Sequence, residues 1–210
     1  MANAYVAFLC AVLLVLLRSN AAWTSKTGSQ RAMGTRLYTM VVPKKDTKVR
    51  EYATHYEELG VDTKKGIFLV DLTPLLRAAL KSSGITEGVV TVLSRHTTTA
   101  ITINEMEGRL VDDIRQYLLR LAPPDYPYLH NDLHLRNGPP GWPGGDEAWR
   151  AQEPVNAHSH LLTMLLGSSA SVPVHCGDLK IGTWQSVILA EMDGPRTRTV
   201  AVQITGTRDA

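Results

Sequence analysis

The chain has 210 residues, 44% of them hydrophobic, which is enough apolar material for one globular domain with a buried core. Its formal net charge of +2 is unevenly spread, because six of the 22 basic residues and none of the 20 acidic residues lie in the first 45 positions. The rest of the chain is therefore slightly acidic, without a polybasic stretch. This composition argues against a nucleic-acid-binding protein.

The first 45 residues are predicted to form a targeting leader, separate from a folded domain at 46–210. Residues 5–17 are an apolar run that is too short for a membrane span but suits the core of a signal peptide at 1–22. Residues 23–45 are rich in Ser, Thr, Arg and Lys and contain no acid, a composition typical of transit peptides.

This two-part leader predicts delivery to a plastid gained by secondary endosymbiosis, with secretion or the secretory pathway as the alternative. Cysteine usage agrees with an organelle interior, because Cys10 lies in the leader and leaves Cys176 without a partner for an intrachain disulfide. No Asn-x-Ser/Thr glycosylation motif occurs. The mature domain is not expected to bind a membrane.

The first predicted elements of the folded domain are strands and one helix. Residues 66–71, GIFLVD, predict a strand. Thr73 and Pro74 are a helix-start signal, with a capping hydroxyl and a proline at the first helical position. The helix is predicted over 74–82 and ends at Gly84, which tolerates a left-handed cap. Residues 89–103 are rich in β-branched side chains, which predicts one long strand or two short ones.

The second half combines helices with an irregular segment. Apolar residues at helical spacing predict a helix over 107–121. Residues 125–152 include GPPGWPGG, which no regular element tolerates, so a functional lid or a disordered insert is expected. Asn156 is predicted to cap a helix that ends at Gly167. Three strands follow, at 171–175, 180–192 and 197–205. The prediction is an α+β domain with mostly antiparallel or mixed sheet and about three helices.

Four of the seven histidines are candidates for chemistry. His96 opens HTTTAITINE, a β-branched run that ends in an amide and a carboxylate, and a strand alone does not need those polar ends. His130 stands near the start of the irregular segment. His158 and His160 begin a helix, where residues two apart point about 200° apart, so one of them is expected to line a site. Without HExxH or paired cysteines, a three-histidine metal site built from distant segments remains an open alternative.

Other polar residues allow two interpretations each. Asn104 and Glu105 either line a pocket or cap the following helix. Trp184 is more readily a core tryptophan on a strand than a ligand contact. Arg196, in the turn DGPR, is either a structural arginine held by Glu191 or an anion clamp, because guanidinium groups bind phosphate through paired hydrogen bonds. A phosphorylated substrate is therefore one candidate.

Six ordered blocks between residues 49 and 206 resemble the YjbQ-like family, often labelled secondary thiamine-phosphate synthase enzyme. They are HTTTAITINE (96–105), YLHND (128–132), NAHSHL (156–161), LLGSS (165–169), PVHCGDLKIGTWQ (173–185) and EMDGPRTR (191–198). The resemblance implies a YjbQ-like α+β fold of packed sheets that forms a homotrimer. It implies that one set of polar residues converges on a single cleft, for which a subunit boundary is a candidate location. These residues are His96, Asn104, Glu105, His130, His160, Gln185 and Arg196. The insert at 138–152 goes beyond the compact bacterial members.

The resemblance also implies an enzyme that acts on a phosphorylated small molecule, with thiamine-phosphate-synthase-like transfer as the named candidate. In this prediction His96, His130 and His160 hold a divalent metal, Zn or Mg, or the phosphate, and Glu105 with Asn104 performs catalysis. The substrate-binding residues are Gln185, Arg196 and Trp184. Such transfer normally uses Mg²⁺ held by carboxylates, and the chain has no paired acidic metal motif and few clustered cations. A metal-dependent hydrolase and a non-catalytic protein that binds a metal or a phosphorylated metabolite are the alternatives.

Overall fold

Eight β-strands in two sheets and four α-helices make up the part of the chain that the computed structural model describes, residues 49–210. The strands are β1 (Arg50–Asp62), β2 (Gly66–Asp71), β3 (Glu87–Ser94), β4 (Thr99–Asn104), β5 (Ser169–His175), β6 (Asp178–Leu179), β7 (Ser186–Gly194) and β8 (Thr197–Asp209). The helices are α1 (Thr73–Ser83), α2 (Gly108–Leu121), α3 (Gly145–Arg150) and α4 (Ala157–Leu166). The predicted α+β class is confirmed, with the short α3 as an additional helix. The predicted leader lies outside the described residues.

The domain has three layers, because the smaller sheet lies between the larger sheet and two helices. The five-stranded sheet has the order β1-β8-β3-β5-β6, the three-stranded sheet has the order β2-β7-β4, and all their strand pairs are antiparallel. Successive side chains of a strand point to opposite faces, so β7 serves two cores. Val187 and Leu189 join the core of the five-stranded sheet and α1, whereas Ile188, Ala190 and Met192 join the core with α2 and α4.

Helix α1 begins and ends close to the predicted positions, but its start is stabilised differently. Gly84 ends the helix in the left-handed conformation with φ 68°, as predicted. Thr73 does not cap the helix with its hydroxyl; that oxygen accepts a hydrogen bond from the backbone N–H of Val187 at 2.9 Å. The Asp71 carboxylate accepts from the Thr73 N–H at 2.8 Å instead. Thr73 therefore ties the helix start to β7.

Helix α2 confirms the prediction for residues 107–121. Glu107 is its N-cap, and the carboxylate accepts hydrogen bonds from the backbone N–H groups of Arg109 and Leu110 at 2.9 and 2.8 Å. Asn104 and Glu105 therefore do not cap this helix. No helix within residues 49–210 is both long and apolar enough to cross a membrane.

The β-branched run at 89–103 forms two strands, and these belong to different sheets. Strand β3 lies in the five-stranded sheet and β4 lies in the three-stranded sheet. Residues 95–98 are the turn that passes between them, and their polar side chains surround the start of β4. His96 therefore lies in a connection between layers, not on a strand.

Two further strand predictions need correction. Residues 180–185 are not part of a strand, and only Ser186–Gly194 of the predicted segment 180–192 pairs, as β7. Strand β1 was not predicted, although it pairs with β8 over all of its 13 residues. It is a largely exposed edge strand that carries many charged residues, so the apolar alternation that predicts a strand is weak there.

Candidate functional site

Three connections converge at the end of the three-stranded sheet where β4 begins: the turn 95–98, the start of α4, and the turn from β7 to β8. They enclose two adjoining pockets of about 350 and 560 Å³, which share Arg95, His96, Thr97 and His160. We call these two pockets the His96 cleft. The smaller pocket is also lined by Thr98, Glu153, Pro154, Asn156, Asp193, Arg196 and Arg198.

The hydrogen bonding of His96 defines which ring nitrogen carries the proton. The backbone N–H of Thr199 on β8 donates to His96 Nε2 at 2.8 Å. A backbone N–H can only donate, so Nε2 accepts and the neutral ring carries its proton on Nδ1. Burial, reinforced by the positive charge of Arg198, lowers the pKa of His96 below its ordinary value. At neutral pH His96 is thus a neutral N–H donor at the cleft.

A buried ion pair supports the floor of the cleft. Arg198 on β8 donates from Nε and Nη2 to the two carboxylate oxygens of Glu191 on β7, at 2.5 and 2.6 Å, and both side chains are almost fully buried. Arg198 Nη2 also donates to Thr98 Oγ1 at 3.0 Å, and Thr63 Oγ1 donates to Glu191 at 2.9 Å. Burial raises the pKa of Glu191, but these hydrogen bonds, chiefly from Arg198, outweigh it and lower the pKa overall. Glu191 holds Arg198, whereas the sequence suggested Arg196.

Arg196 pairs with a carboxylate that the sequence analysis treated only as a turn residue. Its Nη2 lies 3.1 Å from Asp193 Oδ2, and nearly half of its side chain is exposed. Asn156 Nδ2 donates to the same oxygen at 2.8 Å, so its side chain holds the β7–β8 turn and does not cap α4 as predicted. Asp193, Asn156 and Arg198 are cleft residues that sequence reasoning missed. The available signals were the position of Asp193 and Arg198 in the block EMDGPRTR and of Asn156 at the start of NAHSHL.

The start of α4 places one of its two histidines at the cleft, as helical spacing predicts. His160 lines both pockets, whereas His158 lines neither. The His160 ring contacts the ring of His130 edge to face, with 4.9 Å between their centroids. Burial lowers the pKa of His160, and the positive charge of His130 lowers this pKa further. The Nε2 atom of His130 is buried without a hydrogen-bond partner in the described part of the chain. The three predicted histidines are therefore neighbours.

These histidines do not form a metal-ligand group within one chain. Among residues 49–210, potential ligand atoms lie within 4.8 Å of one another in a different group, formed by Glu87, His175 and Cys176. The Nε2 lone pair of His96 is also already engaged by a backbone N–H. The donor set of the described chain thus does not fit the predicted three-histidine metal site, and no step below depends on such a metal.

The other predicted site residues lie at the opposite end of β4. Thr99 pairs with Glu191 at one end of β4 and Asn104 pairs with Ser186 at the other, and these two ends are separated by about 17 Å at ~3.3 Å per residue. Glu105, Trp184 and Gln185 line a separate pocket of about 310 Å³ there. We call Asn104, Glu105, Trp184 and Gln185 the Glu105 group. One chain therefore does not bring all the predicted positions into one cleft.

Trp184 is not the core tryptophan that its sequence context favoured. It lies in the turn before β7, and 73% of its surface is exposed. In the same turn, Gln185 Oε1 accepts a hydrogen bond from the Gly182 N–H at 2.7 Å. Asn104 Oδ1 accepts from the Glu105 N–H at 2.8 Å, which orients the end of β4. Because it is exposed, the Trp184 side chain is available to a ligand or to another chain.

The Gly- and Pro-rich insert packs onto the domain and supports one wall of the cleft. Trp149 of α3 is buried, and Arg136 lies over its ring at 5.0 Å. Arg136 donates to the backbone oxygen of His130 and to Glu153, both at 3.0 Å. Gly138 is required, because an added Cβ would lie 2.8 Å from the Trp149 side chain. Arg136, which packs against the insert through Trp149, thus links His130 to Glu153, and Glu153 lines the cleft.

Comparisons with known proteins agree with this fold. Residues 57–207 match the family described as UPF0047 protein YjbQ-like. A UPF0047 protein of Methanothermobacter thermautotrophicus is 40% identical over 150 residues, which cover 71% of this chain and 91% of that protein. The UPF0047 protein YugU of Bacillus subtilis is 32% identical over 149 residues, 70% of this chain and 97% of that one.

Solved structures show the same architecture. The crystal structure of a YbjQ-like protein of unknown function from Sulfolobus solfataricus P2 superposes with a TM-score of 0.63 at 30% identity, covering 74% of this chain and 99% of that one. A hypothetical protein from Aeropyrum pernix K1 gives a TM-score of 0.61 at 33% identity, with 72% and 98% coverage. The family match at 57–207 includes every residue that lines the cleft, the whole three-stranded sheet and most of the five-stranded sheet. The chain therefore belongs to the UPF0047 family of YjbQ-like proteins.

Proposed function

We propose that the protein is an enzyme whose His96 cleft binds the phosphate group of a phosphorylated small molecule. The observation that carries this proposal is the bond from Thr199 N–H to His96 Nε2, because it makes Nδ1–H the available group. A donor suits a phosphate oxygen and cannot bind a metal ion. The resemblance to a family labelled for thiamine-phosphate synthesis makes transfer between a pyrimidine pyrophosphate and a thiazole phosphate the named candidate reaction.

The charge around His96 supports an anionic ligand. Arg95 and Arg196 line the cleft with side chains that are about half exposed, so their guanidinium groups can turn from Glu58 and Asp193 toward a ligand. Surface ion pairs of this kind contribute little free energy, roughly 0–1 kcal/mol, so exchanging one for a phosphate is inexpensive. Arg198 stays bound to Glu191 and acts as a fixed positive group behind the ligand.

The proposed catalytic group comes from a neighbouring protomer of a homotrimer. Within one chain, the Glu153 carboxylate at the cleft is paired with Arg136, and the Asp193 carboxylate accepts a hydrogen bond from Asn156 in addition to its pairing with Arg196. In the proposed trimer the Glu105 group of one protomer completes the His96 cleft of the next. There Glu105 acts as acid/base beside Asn104, while Gln185 and Trp184 contact the substrate.

An apolar surface on α4 is the proposed contact between protomers. Leu161, Met164 and Leu165 are exposed, and they line a groove of about 570 Å³ with the end of α2 and with Tyr126. A helix that is apolar on its outer face is expected to be covered by another surface. This groove adjoins the cleft, since Met164 lines both.

A non-catalytic phosphometabolite-binding protein is the second candidate. The observation that favours it is that other side chains bind both cleft carboxylates, Arg136 at Glu153 and Asn156 at Asp193, which leaves one chain without a free general base. The metal-dependent hydrolase is less well supported, because the three histidines do not form a ligand group in the described residues.

Titration calorimetry with inorganic phosphate and with pyrophosphate tests the binding site. The full chain is expected to bind both anions. His96→Ala should bind them at least about tenfold more weakly, because it loses a charge-assisted hydrogen bond. The control His134→Ala replaces an exposed histidine and should bind them as the parent protein does. Binding should persist in the presence of a chelator. Equal phosphate affinity in His96→Ala and the parent protein would contradict the proposal.

Product formation separates the two candidate functions. The transferase is expected to form thiamine phosphate from the two precursors, and Glu105→Gln should abolish turnover while phosphate binding persists. Tight binding without turnover by the trimer would favour the binding protein. Plastid delivery by residues 1–45 is also proposed, and a fluorescent protein fused to these residues in an alga with secondary plastids tests it.

A further inference from the structure

A second group of reactive side chains lies at the other end of β3 from the His96 cleft. Glu87 begins β3, His175 ends β5, and Cys176 follows in the turn to β6. Ser94, which lines the cleft, ends the same eight-residue β3, so the group lies about 23 Å away at ~3.3 Å per residue. The proposed function does not use any of these three residues.

The backbone of the turn brings two consecutive side chains together. Neighbouring side chains in a strand normally point to opposite faces. Cys176 instead has φ 53° and Gly177 has φ 70°, so the chain leaves the strand with two left-handed residues. As a result, Cys176 Sγ lies 3.4 Å from His175 Nε2.

This separation matches two ligands of one metal ion. With Zn–N near 2.0–2.1 Å and Zn–S near 2.3 Å, a tetrahedral ion places its nitrogen and sulfur ligands about 3.6 Å apart. The two atoms can therefore reach one ion if the distance between them changes by roughly a few tenths of an ångström. Side-chain rotations at an exposed turn easily allow such a change. The backbone needs no rearrangement.

Glu87 orients the histidine for this role. Its Oε2 lies 2.7 Å from His175 Nδ1, and its Oε1 accepts the Cys176 N–H at 3.0 Å. A carboxylate at Nδ1 holds the proton there and leaves the Nε2 lone pair for a metal, the arrangement found behind many metal-binding histidines. The ligand atoms of all three residues lie within 4.8 Å of one another.

We propose that Cys176 Sγ and His175 Nε2 bind one divalent cation of the zinc class, with Glu87 positioning His175. Thiolate and imidazole select Zn²⁺ or Co²⁺ over Mg²⁺. On binding, the Cys176 thiol loses its proton to solvent, the sulfur–metal bond forms, and water completes the coordination, with no change of oxidation state. Two protein ligands at an exposed turn make this an exchangeable site.

Titration of the full chain with Co²⁺ tests the proposal. Every protein carries the substitution Cys10→Ser, so that Cys176 is the one remaining thiol. One equivalent of Co²⁺ is expected to produce a sulfur-to-cobalt charge-transfer absorption, with release of protons, and Zn²⁺ should displace it. Cys176→Ser and Cys176→Ala should abolish the absorption. Glu87→Gln should weaken binding by about 10- to 100-fold.

The controls separate this site from the His96 cleft. His134→Ala is expected to leave the cobalt titration unchanged, and Cys176→Ala should leave phosphate binding unchanged. Cobalt binding without a charge-transfer absorption, or equal affinity in Cys176→Ser and the parent, would overturn the proposal. Circular dichroism confirms that each variant is folded; the two Cys176 variants replace an exposed side chain.

Discussion

The guanidinium of Arg198 and the carboxylate of Glu191 join the two sheets through paired hydrogen bonds of 2.5 and 2.6 Å in a nearly solvent-free position. Arg198 belongs to the five-stranded sheet and Glu191 to the three-stranded sheet, so the pair fixes their spacing at the edge where the cleft opens. The turn residue Thr98 is bound to the same guanidinium. The pair thus positions the turn that carries His96.

Glu191→Ala is expected to destabilise the protein by about 3–5 kcal/mol, because it leaves the buried Arg198 charge without a partner. Urea unfolding followed by circular dichroism measures this. The matched control is Arg208→Ala, which breaks an exposed ion pair with Glu51 at 3.2 Å and should cost less than about 1 kcal/mol. Equal losses in the two variants would contradict the structural role of the buried pair.

Stability is expected to fall when the pH drops below the ordinary histidine pKa of 6.5. Burial lowers the pKa of His96, His158 and His160 in the folded state, so the unfolded state takes up protons at a higher pH. The free energy of unfolding therefore declines as pH falls from 6.5 toward the folded-state pKa values. Urea midpoints between pH 8 and 5 measure the decline.

The decline should be smaller in His160→Asn and unchanged in His134→Asn, which alters an exposed histidine. A flat profile between pH 7 and 5 would argue against neutral, half-buried histidines.

A second loss of stability is expected below the ordinary glutamate pKa of 4.5, because the pKa of Glu191 is lowered in the folded state.

Arg196→Ala is expected to weaken phosphate binding by roughly 10- to 100-fold, as for loss of a hydrogen bond to a charged group. Arg196→Lys should recover only part of the affinity, since lysine lacks the paired donors of guanidinium. Calorimetry with inorganic phosphate measures both. Arg120→Ala on the exposed face of α2 is the control. An unchanged phosphate affinity in Arg196→Ala would show that this arginine only stabilises the β7–β8 turn and does not bind phosphate.

Replacing Met164 and Leu165 by glutamate should convert the proposed trimer into monomers, because charges would then have to be buried at the contact. Light scattering coupled to size exclusion measures the mass. Leu75→Glu, at a partly exposed position on α1, should leave the trimer intact. A wild-type chain that elutes as a monomer would contradict the assembly and, with it, the completion of the cleft by the Glu105 group.

Local chemistry made much of the fold predictable from sequence. Gly84 ends α1, the apolar spacing in 107–121 forms α2, and the six family blocks identify the α+β fold. Helical geometry also predicted that only one of His158 and His160 would face a site, and His160, which the resemblance selected, is the one that lines the two pockets. These signals depend on residues that are close in sequence, so an isolated segment already contains them.

The tertiary structure decided where the site residues lie. Residues 89–103 form one β-branched run, yet the chain changes sheets at 95–98 because each half pairs with a distant partner, β3 with β8 and β4 with β7. That change of sheet brings His96 to Thr199, over a hundred positions away, and removes Glu105 to the opposite end of β4. Strand pairing is a long-range interaction, and no local pattern specifies which partner a strand will find.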